Sequence, residues 1–204
     1  MFHTPWFKRR SFQGVLSLLG LIIEQVTGQP VEDVLRARIL RPLGLQHTVF
    51  PTTNGMPAPY AVGYYPIGPH RLVNETLLNP SLAWTAGAMI STLEDLHTWA
   101  QALATGSLLR PAQQRQRLTW NPYSAAASHG FGRYGLGVSD LVGFIGHDGG
   151  ILGFNTVMRY LPATHATVVV IANSCDVMSR GSVEPAGDLF PQIVKIAFAA
   201  QFPH

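Results

Sequence analysis

The stretch Gly146-His147-Asp148-Gly149-Gly150-Ile151-Leu152-Gly153-Phe154 has the residue types that could do chemistry. A His-x-Gly tripeptide at the head of a strand suits an active-site edge, where backbone must come close to a bound ligand. Gly149 and Gly150 would leave that approach clear of side chains, and His147 would set a donor or proton carrier beside the ligand. Each residue also has a plainer reading. His147 could be a strand-end histidine bonded to backbone, Asp148 could pair with an arginine, and Gly149 and Gly150 could form a bulge or turn. The other histidines (His3, His47, His70, His97, His129, His165, His204) show no His-x-His or His-Glu-x-x-His spacing. No metal site is expected from them. There is no Gly-rich phosphate loop either, so no cofactor is expected.

The elements that must position this stretch can be read from patterning. The first helix is expected over residues 12 to 27, ending at Gly28 with Pro30 beyond. Val15, Leu19, Ile22 and Val26 form one stripe of it, which predicts a face buried in the core. Lys8-Arg9-Arg10 ahead of this apolar run imitates a signal peptide. Ser17 and Gly20 interrupt it, however, and no Ala-x-Ala site follows, so an internal core helix is the better reading. No apolar run is long enough for a transmembrane helix, and the compartment stays open.

A second helix carries Val31, Val34, Leu35 and Ile39 and closes at Pro42 and Gly44. Residues 45 to 90, rich in Pro, Gly, Asn and Thr, predict a long irregular excursion with Tyr60, Tyr64 and Trp84 as pocket walls or core plugs. Ser91-Thr92-Leu93-Glu94 has capping-box spacing. The helix it opens would turn Leu93, Leu96, Trp99, Ala100 and Leu103 inward and stop at Gly106. A helical turn near 111–118 follows, then short strands at 135–138 and 142–145. Phe154 to Leu161 alternates: Phe154, Thr156, Met158 and Tyr160 face one way, Asn155, Val157, Arg159 and Leu161 the other. After a turn at 162–165, Thr167 to Ala172 returns as an apolar strand. A last helix over 186–201 would pack Leu189, Ile193, Ile196 and Ala197. This order predicts an α+β fold, an antiparallel sheet flanked by helices, in one domain over 1–204 with 1–10 poorly ordered.

Composition narrows the function classes. With 47% hydrophobic and 12% charged residues the chain predicts a well-buried globular body. The net charge of +3 is scattered over Lys8, Arg9, Arg10, Arg36, Arg38 and Arg41, not laid along one basic face, so no nucleic-acid partner is expected. Cys175 is the single cysteine and reads as a buried, inert thiol.

Two segments together resemble the serine β-lactamase and D-alanyl-D-alanine carboxypeptidase superfamily, in its class C and esterase-like branch. The first is Leu18-Leu19-Gly20-Leu21-Ile22-Ile23-Glu24-Gln25-Val26-Thr27-Gly28-Gln29-Pro30, with Pro42-Leu43-Gly44-Leu45 and Thr48 after it. The second is His147-Asp148-Gly149, which falls where that family carries its third motif, Lys-Thr-Gly or His-x-Gly. Ser91 to Leu109 resembles the helix between them. The resemblance runs from about Ser11 to Asn173 and covers the later part of a family member.

The chemistry it implies is acyl transfer through an ester on a serine. A Ser-x-x-Lys motif supplies the activated hydroxyl, a Tyr-x-Asn motif shuttles the proton, and the third motif lines the opposite wall. Carried over, His147 becomes the basic third-motif residue with a catalytic role and Gly149 the close-approach glycine. Gly150 becomes the backbone donor of the oxyanion hole, and Asp148 lines the substrate site.

The attacking machinery is missing. The lysines are Lys8 and Lys195, preceded three residues earlier by Pro5 and Gln192, so no Ser-x-x-Lys exists. The Tyr-x-Asn positions fall on Ser11-Phe12-Gln13; Ser11 has no phenol, and Gln13 could only offer its amide to a ligand carbonyl. The expectation is a family domain incomplete at the N-terminus, with an ancestral action on a peptidoglycan peptide, β-lactam or small ester, and inactive alone. The alternatives are a non-catalytic binding or assembly module, or a C-terminal half completed by a separate N-terminal piece.

Overall fold

A computed structural model describes residues 5–68, 70–121, 132–176 and 183–202, with the side chains of 5–13 outside the description. The fold is α+β with antiparallel strand pairing, as the element order implies. The chain folds into two compact units.

The first unit holds residues 1–92, 150–154 and 173–184. Helix α1 (Pro5–Thr27) starts earlier than the expected residue 12. Gly28 in the left-handed conformation ends it. The face it turns inward is not the expected one. Among residues 14–27 the buried position is Gly20: a Cβ there would meet the Thr85 side chain at 2.6 Å and the Trp84 ring at 2.9 Å. Thr85 Oγ1 donates to Leu16 O across the same contact, at 2.9 Å. Val15, Leu19, Ile22 and Val26, read from sequence as the core stripe, are exposed instead, Val26 by 79%. Close approach at a glycine has selected the packing face, which a count of apolar residues cannot reveal.

Helices α2 (Val31–Leu35) and α3 (Arg41–Leu43) are joined by a π-helical turn over Arg36–Leu40, and Gly44 closes the run. The excursion over 45–90 is less irregular than expected. It contains the hairpin β1 (Tyr64–Ile67) and β2 (Arg71–Asn74) and two 3₁₀ turns, Pro80–Leu82 and Trp84–Ala86. The turn signals around Gly68 and Asn79 masked that hairpin in the sequence.

The second unit holds residues 93–149, 155–172 and 185–204. Helix α4 (Leu93–Thr105) buries Ala100 and Leu103 as predicted and Ala104 besides, but Leu93 is 50% exposed. Helix α5 (Pro111–Arg117) is the expected short one; its Gln114 Nε2 donates to Leu103 O and Ala104 O and so caps α4. Strands β3 (Gly132–Tyr134), β4 (Ser139–Leu141), β5 (Phe144–Ile151), β6 (Phe154–Leu161) and β7 (Ala166–Ala172) pair in sequence order.

The expected strands at 135–138 and 142–145 are displaced. Residues 135–138 link β3 to β4, and Val142-Gly143 is a tight turn with φ of 48° and 90°. Asp140 Oδ1 accepts the Gly143 N–H at 2.7 Å and stabilises that turn.

Strand β6 falls where alternation placed it and is covered on both faces. Val157 and Leu161 pack with Phe144, Val168 and the α6 (Pro185–Ala197) residues Ala186, Phe190 and Val194. Met158 and Tyr160 pack with Val138 and the α4 residues. The inward stripe of α6 is thus 186–190–194; the expected Leu189 and Ile196 are exposed, Ile196 by 81%.

Candidate active site

Strand β5 changes character along its length. Phe144 is fully buried against Phe190, with ring centroids 5.4 Å apart and edge to face. His147 is half-buried, and Asp148, Gly149 and Gly150 are exposed. The strand therefore runs out of the core into solvent at the residues singled out as a site.

His147 is held at both ring nitrogens. Nε2 lies 2.8 Å from the Tyr134 hydroxyl, and the two rings meet edge to face at 5.6 Å between centroids. Nδ1 bonds the Asp148 backbone carbonyl. Burial, and secondarily the Asp148 charge, pushes the Tyr134 phenol up to about 12. At neutral pH this phenol keeps its proton, the opposite of what an activated nucleophile needs.

Asp148 does pair with an arginine. Its Oδ1 accepts from Arg159 Nη2 at 2.9 Å, from a side chain only 6% exposed. Arg159 also donates to Ser139 Oγ at 3.0 Å and sits 5.5 Å over the Phe190 ring. Burial pushes the Arg159 guanidinium down; Asp148 and, less, Asp140 push it back up. The Ser139 hydroxyl donates to Gly146 O at 3.3 Å and accepts from Arg159, so a cation, not a base, faces it.

A Cβ built on Gly149 would meet nothing within 4 Å. No neighbouring protein group demands a glycine there, and the space beside it is open to a ligand. The Gly149 carbonyl accepts from Asn155 Nδ2 at 2.8 Å. Asn155 is 1% exposed, and its Oδ1 accepts from Ala186 N at 2.8 Å and Gly187 N at 3.3 Å, at the start of α6. In a trans peptide C=O and N–H point opposite ways. Tying down the Gly149 carbonyl therefore orients the Gly150 N–H away from Asn155.

Of the residues singled out by sequence, His147, Asp148, Gly149 and Gly150 are consecutive on β5 and share this exposed end. The side chains of Gln13 and Ser11 lie outside the described residues. Sequence reading missed Tyr134, Asn155 and Arg159 as site-forming residues. Asn155 and Arg159 did carry a signal: both are polar on the strand face shared by Val157 and Leu161, and a polar group on an apolar face needs a partner. Tyr134 carried none, since sheet pairing alone brings it to His147.

The structure thus shows an antiparallel sheet covered by helices on both faces, with a His-x-Gly-Gly edge of His147, Asp148, Gly149 and Gly150 opening to solvent. The Beta-lactamase family pattern matches residues 5–186, and the chain belongs to that family. A Bacillus subtilis (strain 168) protein named "Putative penicillin-binding protein PbpX" is 27% identical over 157 residues, 77% of this chain and 38% of that protein.

Among solved structures, a D-stereospecific amidohydrolase from a Streptomyces species superposes with a TM-score of 0.72 at 31% identity, covering 79% of this chain and 49% of that one. The D-amino acid amidase of Ochrobactrum anthropi SV3, at 24% identity, shares the fold with a TM-score of 0.78 over 93% of this chain and 57% of its own. The chain thus spans about half the length of these solved relatives and less of the curated one.

Proposed function

We propose that this chain contributes one wall of a serine-hydrolase acyl-transfer site and does not turn substrate over alone. The carrying observation is the Gly149-Gly150 peptide, tied by Asn155 beside open space so that its N–H can meet a developing oxyanion. The substrate class is an amide or ester acyl donor: a D-amino acid amide, as the names of the amidase relatives suggest, a peptidoglycan peptide, a β-lactam or a small ester. The test is hydrolysis of a chromogenic β-lactam, a nitrophenyl ester and a D-amino acid amide by the purified chain. No turnover is expected; saturable turnover abolished by replacing one serine overturns the reading.

A second reading is completion by a separate polypeptide equivalent to the remaining part of the relatives. The exposed apolar stripe of α1 favours it: Val15, Leu18, Leu19, Ile22 and Val26 are each at least 47% exposed on one helix. Contiguous apolar surface of this kind marks a covered face in a working assembly. That polypeptide would have to bring the Ser-x-x-Lys and Tyr-x-Asn groups. Co-expression with such a piece is expected to give a soluble complex with esterase activity; failure to associate removes this reading. A binding module that lacks chemistry altogether predicts a thermal shift with a D-Ala-D-Ala peptide and no turnover.

A further inference from the structure

The hydrogen bonds around His147 determine where its proton sits. A backbone carbonyl can only accept, so the contact between Nδ1 and Asp148 O requires the proton on Nδ1. The neutral ring then has its lone pair on Nε2, and the Tyr134 hydroxyl, 2.8 Å away, is the donor to it. Nearby charges are already matched: Asp148 is paired with Arg159, and Asp140 with Arg133. The phenol pushed up to about 12 fits the same assignment, because it remains a donor throughout the neutral range.

We propose that Tyr134 is a positioning residue for His147, engaging the Nε2 lone pair of the uncharged ring while the ring proton stays on Nδ1. This deepens the reading of the β5 edge as a site wall and rests on it for its functional meaning. His147 then exchanges a proton at Nε2 only through the Tyr134 oxygen. A proton arriving at that oxygen forms one O–H bond as the original O–H breaks, and the released proton forms the Nε2–H bond. The phenol stays neutral, and the positive charge appears on the imidazole. Tyrosine and histidine act as one two-membered relay, and the ring does not serve as a free base.

The test is long-range ¹H–¹⁵N correlation of the histidine side chains in labelled protein at mildly alkaline pH. His147 is assigned by the signal lost in His147→Gln. The expected wild-type pattern is a protonated Nδ1 and an unprotonated, hydrogen-bonded Nε2. Tyr134→Phe keeps the ring packing but removes the donor, and is expected to move the Nε2 resonance of His147 to that of an unprotonated nitrogen with no donor, while the Asp148 carbonyl keeps Nδ1 protonated.

A wild-type ring protonated on Nε2 overturns the proposal. So does a Tyr134→Phe spectrum in which neither His147 nitrogen moves. If Tyr134→Phe fails to fold, the wild-type tautomer decides alone. None of these readouts requires turnover, so an inactive chain leaves the tautomer result standing. Activity from the chain alone would instead remove the site reading while the pair remained measurable.

Discussion

Two helices of this chain each carry apolar residues at helical spacing and have opposite fates. Helix α6 buries Ala186, Phe190 and Val194 against the sheet, with Phe198 and Phe202 extending the same cluster around Phe144. Helix α1 presents Val15, Leu18, Leu19, Leu21, Ile22 and Val26 to solvent and makes its close contact through Gly20. Periodicity finds apolar residues in both, yet in neither is the expected stripe the one that is buried: Leu189 and Ile196 of α6 are exposed, as are Val15, Leu19, Ile22 and Val26 of α1. What it cannot specify is the partner: α6 finds one in the strands of its own unit, while the stripe of α1 has no cover among the described residues.

The contrast is quantitative, and substitutions can break it. The largest expected effect is at the α6 cluster, where Phe144→Ala or Phe190→Ala should cost about 3–5 kcal/mol in urea unfolding. Next comes Asn155→Ala, which strands the Gly149 carbonyl and the Ala186 N–H; a loss of about 2–3 kcal/mol is expected. Its amide exchange should also quicken at Gly150 and at the start of α6. Retention of full stability there would mean that the clamp does not hold the peptide.

A smaller effect concerns pH. Tyr134 has its folded value raised, so its contribution is intact below about 10, the ordinary tyrosine value. It is lost as pH climbs from there through about 12. Partial exposure of the ring screens the effect. The urea midpoint of wild type should therefore fall over that window more than that of Tyr134→Phe.

Smallest of all are changes on the α1 stripe. Leu19→Ser and Val26→Ser are expected to alter unfolding stability by no more than about 0.5 kcal/mol, the range of ordinary surface positions. Light scattering should meanwhile report less self-association. A cost near that of the α6 cluster would show that the stripe is buried in solution and would erase the distinction between the helices.

Much was legible from residue type and spacing alone. Strand β6, the fold class, the helix stops at Gly28, Gly44 and Gly106, and the absence of Ser-x-x-Lys all follow from them. These are local properties: alternation, backbone conformation at glycine, and the presence or absence of a functional group. Only the tertiary structure decided which apolar face α1 buries, where the β4–β5 turn falls, and that Tyr134 meets His147 while Asn155 holds Gly149. Each of these depends on which strand or helix is brought alongside, from as near as the next strand for Asn155 and Gly149 to as far as Thr85 against Leu16. A hydrogen bond or a close glycine contact is specified by two surfaces in register, and the pattern of one helix or strand does not contain the other surface.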